Sequence, residues 1–543
     1  MTPLKLSAMS KKIAVLVIAA TVWPSFAADL LSSYFGRKTE REQVRVQDVE
    51  GLSQHITNDG KLHLHLHDFL ELVLKNSTDI QITRMNVYTA ADAITAAKAP
   101  LDPFLAPSFS TQRTLAPLSQ FYLTQSTQSS LFQQSSLQYQ QVLPTGQTIN
   151  GNFGLTRNSG SGYDTPALFG NLSFTVTQPL LRNRTGIEYR APITLARTQL
   201  NITSELSESI IGTAVATAAQ QYWQAILSRD GIRVQEQAVA LAEKANERDK
   251  KALELGAISR LDIYQSEAQV ADSKRNLIQA QHQYTSALDG LRRLIGADVS
   301  PALRSTQIVL EDNASTLPVK NEILPFEEAL SKALAVRPEL QAADQQISMD
   351  QLNARVARQS LQPRLDLQAI GGSSGPAINF GALGIVYPGL SDTLRQVLGF
   401  NYPTYGLSLN MTLPFRNSAA QANFADALVS KTRDTYQKRQ TREQVILDVR
   451  QAINAIDLAK ATIDAAITAR DFARKNVEAE QQKFELGTIL VFELLDSQTK
   501  LAASETALLG AYVNYQEAYI SYQHATWTLL DGLGMVVQKP QVR

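Results

Sequence analysis

Glu254-Leu255-Gly256-Ala257-Ile258 and Glu485-Leu486-Gly487-Thr488-Ile489 are two versions of one stretch, about 230 residues apart. Each lies between long segments that read as helix. After Pro192 the chain runs to Leu253 with no proline and only two glycines, Gly212 and Gly231. From Asn417 to Glu485 it has neither residue. Roughly 60–70 residues at 1.5 Å each span about 90–105 Å. Apolar and alanine positions recur three and four apart, as in Leu206, Ile210, Ala214, Ala218 and Ala225, the spacing of a coiled-coil-like face. A glycine between two such segments permits a tight reversal with φ > 0. The two stretches therefore read as the tips of two long helical hairpins.

Moving outward from the tips, the repetition continues. Leu70, Leu74 and Asp79-Ile80 correspond to Leu330, Leu334 and Glu339-Leu340, and Pro103 and Leu105 to Pro363 and Leu365, about 260 residues apart. Gln178-Pro179-Leu180 corresponds to Leu413-Pro414-Phe415 at about 235 residues. The chain is thus expected to be a duplication, each half running helix, strands, long helix, tip, helix. The first helix of each half is expected over about Asp68–Lys98 and Glu327–Gln359. The offset falls most between the prolines, where strands and loops tolerate insertions.

The segments between the prolines alternate. Leu172, Phe174 and Val176 are interleaved with Ser173, Thr175 and Thr177. Tyr405, Leu407, Leu409 and Met411 are interleaved with Gly406, Ser408 and Asn410, and Leu365, Leu367 and Ala369 with Asp366 and Gln368. Period two gives one apolar and one polar face, which suits a barrel between lipid and water. Segments 158–171 and 371–403, rich in Gly, Ser and Asn, read as long loops on one side. Pro103, Pro179, Pro363 and Pro414 sit at the helix–strand junctions, where a residue without an N–H is tolerated. Ser130–Val142, Pro144-Thr145-Gly146 and Ile149–Arg157 read as an additional hairpin, whose place in a four-strand scheme is left open.

About four strands cannot close a barrel, and open strand edges are not tolerated in hydrocarbon. Closure must come from several copies. Three would give about twelve strands and arrange the long helices as a second tube.

The N-terminus is read as an export signal. Lys5, Lys11 and Lys12 precede an apolar run from Ile13 to Val22, and Ser25-Phe26-Ala27 offers a cleavage site before Ala28. The run is too short to span a bilayer. The expected organisation is a signal peptide over 1–27, an N-terminal periplasmic extension over 28–62, a first repeat over 63–310, a second over 311–533 and a tail over 534–543. The sequence has no Cys, hence neither disulfides nor a Cys for a lipid anchor. Its 51 basic and 51 acidic residues balance, which argues against nucleic-acid binding. No nucleophile–base pair or phosphate loop stands out, so no enzyme activity, metal or cofactor is expected.

Taken in order, these features resemble the TolC family of outer-membrane factors from about Leu64 to Leu533. The resemblance rests on Gln178-Pro179-Leu180-Leu181, the twin tips, the duplicated helix starts, and the endings Leu294-Ile295-Gly296 and Leu529-Leu530-Asp531-Gly532. It implies a homotrimer: a twelve-stranded β-barrel in outer-membrane lipid, continued by a long periplasmic α-helical barrel. It also implies docking of a periplasmic adaptor (membrane fusion) protein that links the duct to an inner-membrane transporter. The function so implied is an exit duct for efflux or type I secretion; the rival reading is a structural or adhesive envelope protein on the same scaffold.

The resemblance further implies site residues. Leu255, Gly256, Ala257, Ile258 and Ser259, with Leu486, Gly487, Thr488 and Ile489, would form the adaptor-docking tips. Asp262, Phe484, Glu493 and Asp496 would line the periplasmic gate. Where the family prototype has an Arg two residues after the second glycine this chain has Ile489, and Arg260 on the other tip is the candidate substitute. Two further patterns read as structural. His63, His65 and His67 alternate with leucines, as in a short polar-faced strand rather than a metal site. Tyr512, Tyr515, Tyr519 and Tyr522 form a helical stripe expected to pack against neighbouring helices.

Overall fold

In a computed structural model, the described residues are 51–52, 56, 60–117, 127–160, 166–255, 259–299, 304, 306–315, 323–375, 379–381, 384–386, 388–486, 488–489, 491–532 and 534. The expected signal peptide, over 1–27, lies outside them. The chain divides into two units, Met1–Gly51 and Leu52–Arg543, and every strand and helix named here belongs to the second.

The chain begins with strand β1 (Lys61–Leu64) and helices α1 (Leu66–Asn76) and α2 (Thr78–Lys98). Four strands come next: β2 (Phe104–Pro117), β3 (Thr127–Val142), β4 (Thr148–Gly160) and β5 (Ala167–Pro179). They lead into α3 (Ile187–Glu254), α4 (Arg260–Leu294) and β6 (Gln307–Leu310). The second half has α5 (Phe326–Val336), α6 (Pro338–Gln359), β7 (Arg364–Gly375), β8 (Asn379–Gly381), β9 (Gly384–Val386), α7 (Leu390–Leu398) and β10 (Pro403–Thr412). It closes with α8 (Ser418–Glu485), α9 (Val491–Ala525) and α10 (Leu529–Gly532).

The helices of the two halves match in length. α1 and α5 have 11 residues each, α2 and α6 have 21 and 22, α3 and α8 have 68, and α4 and α9 have 35. The single first helix expected in each half is in fact a pair. The break in the second half falls at Arg337 (φ −58°, ψ 123°), because Pro338 disfavours helical backbone before it and starts a new helix well. The break in the first half falls at Ser77 in the same conformation. α3 and α8 each reach about 100 Å at 1.5 Å per residue; α8 has no breaker, whereas α3 starts at Ile187, ahead of the expected Pro192 boundary, and carries that proline inside its first turns. Of α3's two glycines, Gly212 has a packing reason: a Cβ there would lie 2.4 Å from the Trp527 ring. Gly231 faces open space.

The helices pack through small and β-branched residues. α5, α6, α8 and α9 share a core that includes Ala329, Val449, Ile456 and Ala511. Tyr515 and Tyr522 are buried in it, with Tyr512 and Tyr519 packed against its edge, so the tyrosine stripe is a packing feature. Each large apolar side chain so buried contributes about 1.5–3 kcal/mol. Alanines at the helix contacts let the backbones approach. Short strands β1 and β6 pair in parallel at the waist.

The main sheet runs β10-β7-β5-β4-β3-β2, every pair antiparallel. Among the described residues the main sheet therefore has six strands in place of the about four expected. The additional hairpin is β3–β4, and it lies inside the sheet rather than beside it. The twelve-strand total rested on the lower count. The described residues of segment 371–403, expected as loop, include the end of β7, the β8–β9 ribbon and α7. The described residues of segment 158–171 are the end of β4 and the start of β5, apart from Pro166. α7 lies on the far end of the sheet, where Gly170 and Gly375 leave room for Thr393 and Val397.

The register separates the two faces. Leu105, Tyr139, Gly151, Phe174, Gly371 and Tyr405 align across all six strands on one face. Ser108, Ser136, Gly154 and Asn171 align on the other. One face is mainly apolar, with Arg113 and the Arg157–Gln133 pair among its polar exceptions, and its opposite carries mostly amides and hydroxyls, with Arg364 and Asp366 at the helix end of β7. Pro103, Pro179, Pro363 and Pro414 fall at the sheet–helix corners, where the Leu180 N–H donates to the Leu365 carbonyl at 2.7 Å and joins the halves. Among the described residues no helix is long and apolar enough to cross a membrane.

Candidate functional site: the helical tips

α3 and α4 form one hairpin, α8 and α9 the other. The long helices end at Glu254 and Glu485 because the next residues leave the helix: Leu255 and Leu486 cap them, and a glycine follows each. Leu255 is 84% exposed and Leu486 79%. Each leucine presents an exposed apolar side chain at its own turn. The second turn is held by Thr488, whose N–H and hydroxyl both donate to the Lys483 carbonyl, at 3.0 and 2.9 Å. Ser259 and Ile489 flank the turns, Ser259 exposed and Ile489 half-buried. Gly256, Ala257, Ile258 and Gly487 lie outside the described residues, as do Leu490 and the side chain of Asp262.

The hairpins meet just behind the tips. Ala245 of α3 packs with Val491 and Leu495 of α9, and Phe484 covers them. The Arg248 guanidinium lies 4.1 Å from the centroid of the Phe484 ring, a cation–π contact. Arg248 also faces the wholly buried Asp249 carboxylate at 3.6 Å. Further back, Gln269 donates to the Thr499 hydroxyl at 3.3 Å. Arg248 is thus one cation held just behind the tips, and Arg260, the candidate substitute, is exposed. The two acidic residues of the second tip differ. Glu493 is exposed, whereas Asp496 pairs with Lys500 one turn on at 2.6 Å. Phe492 is exposed beside them.

Sequence reasoning passed over Arg248 and Asp249. A signal existed: Ala242, Ala245 and Asp249 are spaced three and four apart and are all buried, so an acid occupies the apolar stripe. A buried carboxylate needs a partner, and the Arg248 guanidinium lies 3.6 Å away.

A second cluster sits where β1 and β6 meet α3. The buried Tyr222 hydroxyl has two acceptors for its one proton, the Leu64 carbonyl at 3.0 Å and Asp312 Oδ2 at 2.8 Å. Burial pushes its pKa far up. Arg229 donates to the Leu310 and Asp312 carbonyls. His65 hydrogen-bonds Asp312 at 3.0 Å, which raises its pKa, and His63 pairs with Glu311, whose pKa falls chiefly through that bond. These imidazoles are committed to tying the waist together. Among the described residues no group of three or more His, Cys, Asp or Glu is placed to hold a metal.

A sheet with one apolar face, continued by helices of about 100 Å that end in exposed apolar tips, defines an outer-membrane channel class. The Outer membrane efflux protein family model matches residues 69–297 and 329–526, and the chain belongs to that family. The family is one of channels, not enzymes, and places the protein in the outer membrane. The chain is 25% identical to the outer membrane protein TolC of Escherichia coli over 267 residues, 48% of this chain and 50% of TolC. It is 24% identical to the pyoverdine export outer membrane protein OpmQ of Pseudomonas aeruginosa over 298 residues, 54% of this chain and 57% of OpmQ. The chain spans about half the length of the curated relatives it matches. Its fold is that of the Campylobacter jejuni CmeC outer membrane channel, with a TM-score of 0.62 at 15% identity over 86% of each chain. The Vibrio cholerae outer membrane protein VceC gives 0.60 at 15% identity over 85% of this chain and 95% of that one.

Proposed function

We propose that the protein is the outer-membrane exit duct of a tripartite efflux or type I secretion system, working as a homotrimer. The observation that carries this is the open sheet. Among the described residues both edge strands, β2 and β10, lack a partner on one side and expose Phe109, Leu115, Tyr405 and Leu407. A sheet with an apolar face and two open edges is unstable in lipid unless copies close the ring. Trimeric closure would stand the helices side by side as a tube of about 100 Å reaching into the periplasm. Helices of matching length support the duplication, with repeats over 63–310 and 311–533 after a signal over 1–27 and an extension over 28–62, and with 534–543 as a tail.

The tips around Leu255–Ser259 and Leu486–Ile489 would dock a periplasmic adaptor protein that connects to an inner-membrane transporter. Asp262, Phe484, Glu493 and Asp496 would line the entrance. The relatives support a transport role: one is named for pyoverdine export. The chain has no native Cys, so Leu255→Cys and Leu486→Cys allow clean site-directed crosslinking. Both are expected to crosslink to the cognate adaptor in cells. Absence of any adaptor crosslink, together with unchanged export when the protein is deleted, would favour a structural envelope role on the same scaffold.

A further inference from the structure

Four strands per copy would suffice for a duct; the β3–β4 hairpin is left over. Yet it is built into the sheet from both ends. β4 pairs with β3 on one side and β5 on the other along nearly its whole length. Its glycines are covered by neighbours: the Phe174 ring lies 3.4 Å from where a Cβ on Gly151 would be, and the Asn171 side chain lies over Gly154. At the helix end, the Pro144-Thr145-Gly146 turn is keyed to the start of α3. Gly146 (φ +90°) and Gly186 (φ +66°) both take left-handed backbone there, and a Cβ on Gly186 would fall 2.0 Å from the Pro144 carbonyl oxygen. β3 and β4, at 16 and 13 residues, exceed the roughly 9–11 that a membrane-spanning strand requires.

Inserting two strands preserves alternation. With six strands, β2 and β10 run in opposite directions, so β10 of a second copy continues the antiparallel sheet beyond β2. Resting on the trimeric reading above, we propose that three copies of this chain close an eighteen-stranded barrel, with β3–β4 as an insertion that widens the exit. At a strand spacing of about 4.8 Å and a tilt of about 40°, twelve strands give a backbone diameter of about 24 Å and eighteen give about 36 Å. Once side chains are allowed for, the open cross-section grows roughly three-fold. The hairpin's polar face carries Gln134, Ser136, Gln138, Asn150, Asn152 and Thr156 and no charged side chain. The wall that the hairpin adds is therefore neutral and hydrogen-bonding, while the charged Arg364–Asp366 pair of the polar face stays on β7 at the helix end; the widening suits hydrophilic cargo too bulky for a twelve-strand pore.

The full-length protein, purified in mild detergent, tests this by its mass, its strand count and its disulfides. A trimer imaged in cross-section should show eighteen strands. In membranes, Ser108→Cys with Ser136→Cys, and Asn152→Cys with Ser173→Cys, should each form an intrachain disulfide. Ser110→Cys with Thr175→Cys, which bridges β2 directly to β5, should not. Deleting 127–160 would rejoin β2 to β5 and should lower the largest neutral polyethylene glycol admitted from the barrel side, with the open area falling about three-fold. A trimer with twelve strands, or an efficient β2–β5 disulfide in the intact chain, overturns the widening and leaves the duct standing. Any other copy number would instead overturn the trimeric reading.

Discussion

The two halves of the chain agree in their helices and disagree in their strands. α3 and α8 have the same number of residues, as do α4 and α9. Between the corner prolines, by contrast, the first half makes four strands of the main sheet and the second makes two. Helices that pack side by side and must end at one level cannot change length singly. A sheet can gain strands in pairs, because a hairpin returns the chain to the corner it left without disturbing direction or register beyond it. Length is constrained across the duct, whereas girth is open to insertion.

The strongest way to break this comparison is at Gly186, which only the first half needs. Gly186→Ala puts a Cβ against the Pro144 carbonyl and forces a left-handed backbone on alanine, at a cost of roughly 2–4 kcal/mol. Loss of heat-resistant assembly on gels is expected; an unaffected assembly would mean that the hairpin turn is not seated on the helix start.

The glycines of α3 sharpen the contrast with the glycine-free α8. Gly212→Ala collides with Trp527 and should destabilise by about 1–3 kcal/mol. Gly231→Ala meets open space within one chain and should stabilise by about 0.5–1 kcal/mol. Thermal unfolding of both variants decides. Destabilisation at Gly231 would place a neighbouring copy against that point of α3.

The tips also differ, in charge. If Glu493 and Asp496 form rings about a three-fold axis, Glu493→Gln with Asp496→Asn should reduce cation selectivity in planar bilayers at low salt. The effect should fade as salt rises, because screening shortens the reach of the carboxylates. Wild-type selectivity at low salt would remove these residues from the constriction. Glu493 should account for more of the effect, since Asp496 already pairs with Lys500.

The smallest expected effect is at the waist. The Asp312 hydrogen bond raises the His65 pKa. Its stabilisation is then fully present below the unfolded value near 6.5 and lost as pH rises through the folded pKa. His65 is largely exposed, so solvent discounts the gain. A slight fall in melting temperature from pH 6 to 8 that His65→Gln abolishes is the expected result. A fall that persists in the variant points elsewhere.

Much of this architecture was legible because it rests on one-dimensional signals. Missing breakers fixed the long helices, period two fixed the strands, and corner prolines marked the junctions. The additional hairpin was legible as an element; its place in the sheet was not, because register depends on partners far along the chain. One clue lay in the offset between the halves, which falls by about 25 residues between the corner prolines, roughly the length of a hairpin. The break at Pro338 was readable from the proline itself, and its counterpart at Ser77 was not, for nothing there forbids helix. At the tips, the helix–turn–helix reversals followed from the pattern, whereas Phe484 was singled out only through the family resemblance. Arg248 and Asp249 escaped because a charged pair in a run of charges looks solvated until the helix beside it is known.

On the proposed assembly, this open sheet exists only as part of a closed ring of three copies. The most direct test of that assembly is the mass of the protein extracted from outer membranes in mild detergent, with the detergent contribution subtracted. Three chains, approaching three times 59.6 kDa less any cleaved signal, are expected. A monomer that stays folded and inserted in lipid would contradict the account.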